Sequence, residues 1–164
     1  MPVEIERKFL VKSDAWRPLA RASEELCQGY LSPDDKDAKA EVRIRRAGSR
    51  GFITIKGKGG ISRAEFEYEI PREHADVLLK ELCRPALIEK TRHEVEHAGM
   101  VWQVDEFHGD HRGLVLAEVE LTSADQAVEL PEWIGQDVTD DPTYRNANLA
   151  THPQAWRRQS AAKR

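Results

Sequence analysis

The chain is poor in the features that stabilise small secreted domains or carry a protein into a membrane. Its 164 residues include two cysteines, Cys27 and Cys83. Two do not make a disulfide framework, and both read as reduced thiols. No apolar run approaches the ~20 residues of a membrane-spanning helix. The opening MPVEIERKF is charged from its fourth residue and has no apolar signal core. A cytoplasmic protein with no membrane partner is expected. A surplus of one charge is also missing: 33% of residues are charged, yet the net charge is only −4. That near-cancellation argues against a nucleic-acid footprint, so no nucleic acid is expected as a partner. There is no repeat period, low-complexity block or long linker, and the length suits one domain with its own core.

Familiar site motifs are lacking too. Gly57-Lys58-Gly59-Gly60 has neither the spacing nor the following helix of a phosphate-binding loop. His93 with His97, and His108 with His111, lack the further ligands that a zinc site requires. No Ser-His-Asp arrangement stands out.

What the chain has is alternation. Glu4-Ile5-Glu6-Arg7-Lys8, Val42-Arg43-Ile44-Arg45, Glu65-Phe66-Glu67-Tyr68-Glu69 and Glu118-Val119-Glu120 place ionic side chains at every second position. In a strand these fall on one face, with the apolar residues on the other. Strands are expected at Val3–Val11, Glu25–Leu31, Ala40–Arg46, Phe52–Lys56, Arg63–Ile70, Leu87–Glu96, Val101–Phe107 and Leu114–Leu121. Helices are expected at Arg72–Cys83, behind Pro71, at 123–130 behind Ser123, and at 142–150 behind Asp140-Asp141-Pro142. From residue 153 the composition turns basic and small, so 153–164 reads as a frayed tail after a domain of 1–152.

One strand face collects Glu4, Glu6, Lys8, Arg43, Arg45, Lys56, Glu65, Glu67, Lys90, Arg92, Asp105, Glu118 and Glu120. The opposite face collects Ile5, Phe9, Val42, Ile44, Ile53, Ile55, Phe66, Tyr68, Trp102, Val104 and Val119, which the helices can cover. A sheet with one wet face would alternate similarly. It would not bring the charges as same-sign pairs two residues apart, because like charges on one strand face repel. The pairing favours an enclosed space in which cations bridge the acids and anions bridge the bases. Eight antiparallel strands suffice to close such a barrel. The class is therefore α+β, an eight-stranded antiparallel closed barrel with a charged interior and a few flanking helices. Oxygen-only acid sets suit Mg²⁺ or Mn²⁺, and Arg and Lys suit phosphate oxygens. Together these groups suit phosphoryl transfer.

Glu4-Ile5-Glu6-Arg7-Lys8-Phe9-Leu10 resembles the ExExK signature of the CYTH superfamily, also called triphosphate tunnel metalloenzymes. The resemblance continues in order through Val42-Arg43-Ile44-Arg45, Thr54-Ile55-Lys56, Arg63-Ala64-Glu65-Phe66-Glu67, Glu89-Lys90-Thr91-Arg92, Val104-Asp105, Glu118-Val119-Glu120 and Tyr144-Arg145-Asn146, and spans about residues 1–150. It implies an eight-stranded tunnel. Glu4, Glu6, Asp105, Glu118 and Glu120 would hold one or two Mg²⁺ or Mn²⁺ ions, with Glu65 and Glu67 supporting them or holding a neighbouring water. Lys8, Arg43, Arg45, Lys56 and Arg92 would grip phosphates, with Arg63 contributing from the mouth. Lys90 would orient the nucleophilic water or choose which bond breaks, joining Glu4, Glu6 and Glu120 as the catalytic group. The helix bearing Tyr144 and Arg145 would plug one end, from where Arg145 reaches the substrate. The short connections resemble the small bacterial triphosphatases, some of which are similar to inorganic tripolyphosphatases. The expected activity is metal-dependent hydrolysis of inorganic tripolyphosphate or of an organic or nucleoside triphosphate, by a monomer or homodimer. The alternatives are a non-catalytic polyphosphate-binding module and a class IV type adenylate cyclase.

Overall fold

The computed structural model describes residues 3–33, 35–59 and 61–162. Gly60, on the glycine-rich turn read above, lies outside the described residues. Nine strands form one antiparallel sheet: β1 (Val3–Val11), β2 (Ala20–Leu31), β3 (Ala40–Ala47), β4 (Arg50–Gly57), β5 (Ser62–Ile70), β6 (Ile88–His97), β7 (Met100–Phe107), β8 (Val115–Glu120) and β9 (Ile134–Asp137). The helices are α1 (Arg72–Glu81), α2 (Asn146–Thr151) and α3 (Ala155–Ala162). No helix among the described residues is long and apolar enough to cross a membrane.

The sheet runs β5-β4-β3-β2-β6-β7-β8-β1-β9, and β1 also pairs with β5, so the first eight strands form a ring. The closing register is Val3 opposite Ala64, Glu4 opposite Arg63 and Ile5 opposite Ser62. All eight expected strands are present. β9, which sequence reading missed, adds to the edge of β1 at Phe9 and Val11. It has four residues, one of them Gly135, too short for alternation to show. Between β6 and β7 the turn is Ala98-Gly99, both at positive φ (51° and 78°), the geometry that two-residue hairpins require. That turn sets Arg92 opposite Asp105 and Lys90 opposite Phe107.

Outside the ring, Phe9, Trp102, Val104, Ala117 and Val119 bury their side chains against Trp16 and Trp133. Each aliphatic or Phe side chain buried this way contributes about 1.5–3 kcal/mol. The cover here comes from connecting segments, where a helix over 123–130 was expected. Residues 122–125 form a bend and turn instead, and 126–130 have no regular structure. Thr122 donates to the Gln126 side chain through both its backbone N and its hydroxyl, and Ser123 donates to Asp125. Such local side-chain bonds compete with helix formation. α1 covers β2–β4 through Ala75 and Leu79 on Cys27 and Ile44. It sits so close that a Cβ on Gly51 would meet the Ala75 Cβ at 2.8 Å. Among the described residues no helix covers Phe66 and Tyr68, expected on the packing face; they are 37% and 58% exposed.

α2 and α3 pack elsewhere. Leu149, Ala150 and Trp156 join Ile88, Phe107, Leu114, Leu116 and Tyr144 in one buried cluster, with Leu10 against it. Leu10, Ile88, Phe107 and Leu116 lie on the same strand faces as the charged residues, further along. The inner face thus changes from ionic to apolar, and the C-terminal helices close the apolar end. The segment expected to fray is helical from Ala155, anchored by Trp156 at 6% exposure. A single buried Trp outweighs the basic, small-residue composition around it.

Candidate functional site

A cavity of about 620 Å³ lies within the ring. β1 contributes Glu4, Glu6 and Lys8; β3 contributes Arg43 and Arg45; β4 contributes Lys56. Arg63, Glu65 and Glu67 come from β5, Arg92 from β6, Glu118 and Glu120 from β8, and Arg145 from the start of α2. Period-two placement brings twelve of these thirteen expected residues to one cavity, and the segment ahead of α2 adds Arg145.

Two expected residues lie deeper on the same inner strand faces, beneath the cavity. Lys90 and Asp105 are 0% and 1% exposed and do not line the cavity. Lys90 Nζ donates to Asp105 Oδ2 at 2.7 Å and to Asn146 Oδ1 at 3.2 Å, and lies 5.2 Å from the centre of the Phe107 ring. Arg92 donates to both Asp105 oxygens, at 2.7 and 2.8 Å. Burial would raise the Asp105 carboxyl, but Arg92 and Lys90 outweigh it and hold the group well below the usual carboxylate range. With both oxygens committed to cations, Asp105 is not disposed as a metal ligand. Lys90 likewise has no open approach to a water in the cavity. The physical reason is register: the β6–β7 hairpin places Arg92 directly across from Asp105.

The cavity's other carboxylates are less completely matched. Glu4 is 2.9 Å from Lys56 and 3.4 Å from Arg63. Against the effect of burial, those two bases lower its pKa. Glu118 is 3.6 Å from Lys8. Burial again opposes, but Lys8 and Arg92 keep Glu118 well below its usual range. No ion pair among the described residues reaches Glu6 or Glu120. Burial, and then the neighbouring Glu118 and Glu4 charges, push Glu6 upward, so it holds a proton beyond the usual carboxylate range.

The bases are crowded in the same way. Arg45 is pressed down by burial and by Arg43 and Arg92; its guanidinium donates to Gln28 Oε1 at 2.8 and 2.9 Å. Arg43 donates to Thr54 Oγ1 at 3.2 Å and reaches Glu67 at 3.5 Å, while its buried Nε has no partner. Lys8 Nζ donates to the Tyr144 carbonyl at 3.0 Å. Sequence reading missed Glu41, which lines the cavity and lies 3.8 Å from Arg63. It stands two residues before Arg43, so the same alternation would have found it. Gln28, Thr54 and Asn146 were also missed, because neutral side chains leave no charge pattern.

Among the described residues, no three acidic, histidine or cysteine side chains already converge as a metal cage. The donor chemistry nevertheless fits a hard divalent cation. Glu4, Glu6, Glu118 and Glu120 offer only oxygens, and burial together with Glu118 and Glu4 pushes Glu6 upward.

The CYTH domain family matches residues 2–150. An inorganic triphosphatase of Acetivibrio thermocellus is 45% identical over 154 residues, covering 93% of this chain and 96% of the relative. An inorganic triphosphatase of Nitrosomonas europaea is 40% identical over 155 residues, covering 90% and 96%. The crystal structure of an inorganic triphosphatase superposes with a TM-score of 0.66 at 35% identity, covering 92% of this chain and 95% of that one. The ring of antiparallel strands and these matches define a class, and the chain belongs to the CYTH domain family.

Proposed function

We propose that this chain is a divalent-metal-dependent triphosphatase that holds inorganic tripolyphosphate, or another small triphosphate, inside the ring. One observation carries the reading: a single cavity packs crowded carboxylates beside crowded guanidiniums, and among the described residues the ion pairs between them leave Glu6 and Glu120 without a cation and Arg45 crowded by Arg43 and Arg92. A metal-bound triphosphate relieves both. The inorganic triphosphatases described above support hydrolysis as the outcome.

In this reading Glu4, Glu6, Glu118 and Glu120 hold Mg²⁺ or Mn²⁺. Glu65 and Glu67 lie beside them and support the set or hold a neighbouring water. When bound, the ion polarises phosphoryl oxygens and lowers the pKa of a coordinated water. Lys8, Arg43, Arg45, Lys56, Arg63, Arg92 and Arg145 take the phosphate oxygens. To do so, Lys56 and Lys8 exchange Glu4 and Glu118 for phosphate, freeing those carboxylates for the cation. Arg43 Nε already has a donor to offer. The fixed cations meet negative charge as it develops on the leaving oxygen, which is where phosphoryl transfer needs stabilisation. Lys90 and Asp105 act as positioning residues: they fix the Arg92 guanidinium, and Asn146 ties them to the closing helix.

The test is phosphate release from tripolyphosphate, ATP, thiamine triphosphate and pyrophosphate with Mg²⁺, Mn²⁺ or EDTA. The expected result is metal-dependent orthophosphate release from tripolyphosphate, lost in Glu4→Ala and Glu120→Ala. Unchanged turnover in both variants would remove the reading. Tight binding without hydrolysis would make the chain a polyphosphate-binding module. Cyclic nucleotide and pyrophosphate from ATP would make it a cyclase.

A further inference from the structure

The main cavity has a smaller neighbour of about 90 Å³, bounded by the β2–β3 loop, the β4–β5 turn and α2. At ~30 Å³ per water, it has room for roughly three waters, close to the terminal oxygens of one phosphoryl group. A nucleobase or sugar does not fit. Lys56, Arg63 and Arg145 line both spaces. Lys56 and Arg63 are already paired with Glu4. Arg145 differs: its guanidinium has no hydrogen-bond or ion-pair partner among the described residues, although it stands at the junction. Beyond it, Lys58 supplies a further base to the small chamber, also without an ion-pair partner among the described residues. The acids there are Glu41, facing Arg63, and Asp35, whose side chain accepts from the Asp37 backbone N within its own loop. Among the described lining residues bases outnumber acids, and the two unpaired bases run outward from the main lumen.

We propose that this chamber is a subsite for the fourth phosphoryl group of a linear polyphosphate, with Arg145 spanning the junction and Lys58 as the outer contact. The inference rests on the reading of the main cavity as a triphosphate site. It adds that the chain discriminates by length and favours four phosphates over three. Tetrapolyphosphate carries more negative charge than tripolyphosphate, so a general charge effect would also favour it somewhat, but would not depend on Lys58 in particular. A subsite acts only on the chain that reaches it.

Calorimetric titration in EDTA, with linear tripolyphosphate and linear tetrapolyphosphate as probes, separates these without turnover. Wild-type protein should bind the tetraphosphate at least tenfold more tightly, and the preference should fall at least fivefold in Lys58→Ala and disappear in Lys58→Glu. Lys58 is exposed, so both variants should fold, which a thermal melt checks. Equal affinities in wild type, or a preference that Lys58→Glu leaves intact, would overturn the subsite alone. If neither polyphosphate binds, the subsite is overturned as well, while the metal-dependent triphosphate reading is decided separately by the phosphate-release assay.

Discussion

Two acid–base groups lie side by side in this ring and have been solved differently. Beneath the cavity, Asp105 is matched by Lys90 and Arg92, every distance is hydrogen-bonding, and Asp105 and Lys90 are fully buried. In the lumen, Glu6 and Glu120 have no cation, Glu118 has one at 3.6 Å, and Arg45 is crowded by like charge. The first is a finished structural element, whose function is to hold its members still. The second is an unfinished one, in which burial and the neighbouring Glu118 and Glu4 raise the pKa of Glu6. Strongly shifted ionisable groups mark functional sites only when structural ion pairs are set apart first, and this comparison sets them apart.

The sharpest way to break the comparison is Asp105→Asn. It leaves two buried cations unmatched, and breaking a buried pair this way costs about 3–5 kcal/mol. A denaturant midpoint should fall accordingly; a change of less than about 1 kcal/mol would show that the triad is not structural. Next in size is Glu120→Ala. It should leave the melting temperature almost unmoved and cut metal-dependent phosphate release at least hundredfold, or about 2.7 kcal/mol of barrier. Asn146→Ala removes one acceptor from Lys90 and should cost about 1 kcal/mol. An effect as large as that of Asp105→Asn would place the helix plug, rather than Asp105, at the centre of the triad.

The acid cluster also sets a pH dependence. Glu6 titrates above its ordinary value near 4.5 in the folded chain, so above that value the folded state binds more protons than the unfolded state. Metal-free stability should therefore fall as pH rises from there through the range in which folded Glu6 loses its proton. Glu6→Gln should flatten that slope, as read from denaturant midpoints at pH 6 and pH 8.5. A slope that survives the substitution would assign it to other groups. The smallest effect belongs to the outer surface. Tyr68→Ser, at 58% exposure, should change stability by no more than about 0.5 kcal/mol and leave activity as it was.

Much of this was legible because a strand converts sequence position into side. The period of two at Glu4-Ile5-Glu6 or Val42-Arg43-Ile44-Arg45 was enough to assign the lumen. What could not be read depends on contacts between strands and at the chain's end. Whether Asp105 meets a metal or Arg92 is decided by hairpin register, set by Ala98 and Gly99. Whether the tail frays is decided by Trp156, whose burial among Leu149 and Tyr144 has no local signature. The helix expected at 123–130 yielded to Gln126, one side chain bonding the chain's own backbone.

The account's central claim is that the lumen carboxylates await a divalent cation while the Asp105 group does not. Its most direct test is a calorimetric titration of Mn²⁺ into metal-free wild-type protein and into Glu6→Gln and Glu120→Ala. The account predicts binding by wild type that is weakened at least tenfold in each variant. Wild-type protein that takes up no Mn²⁺, or variants that bind it as tightly as wild type, would contradict it.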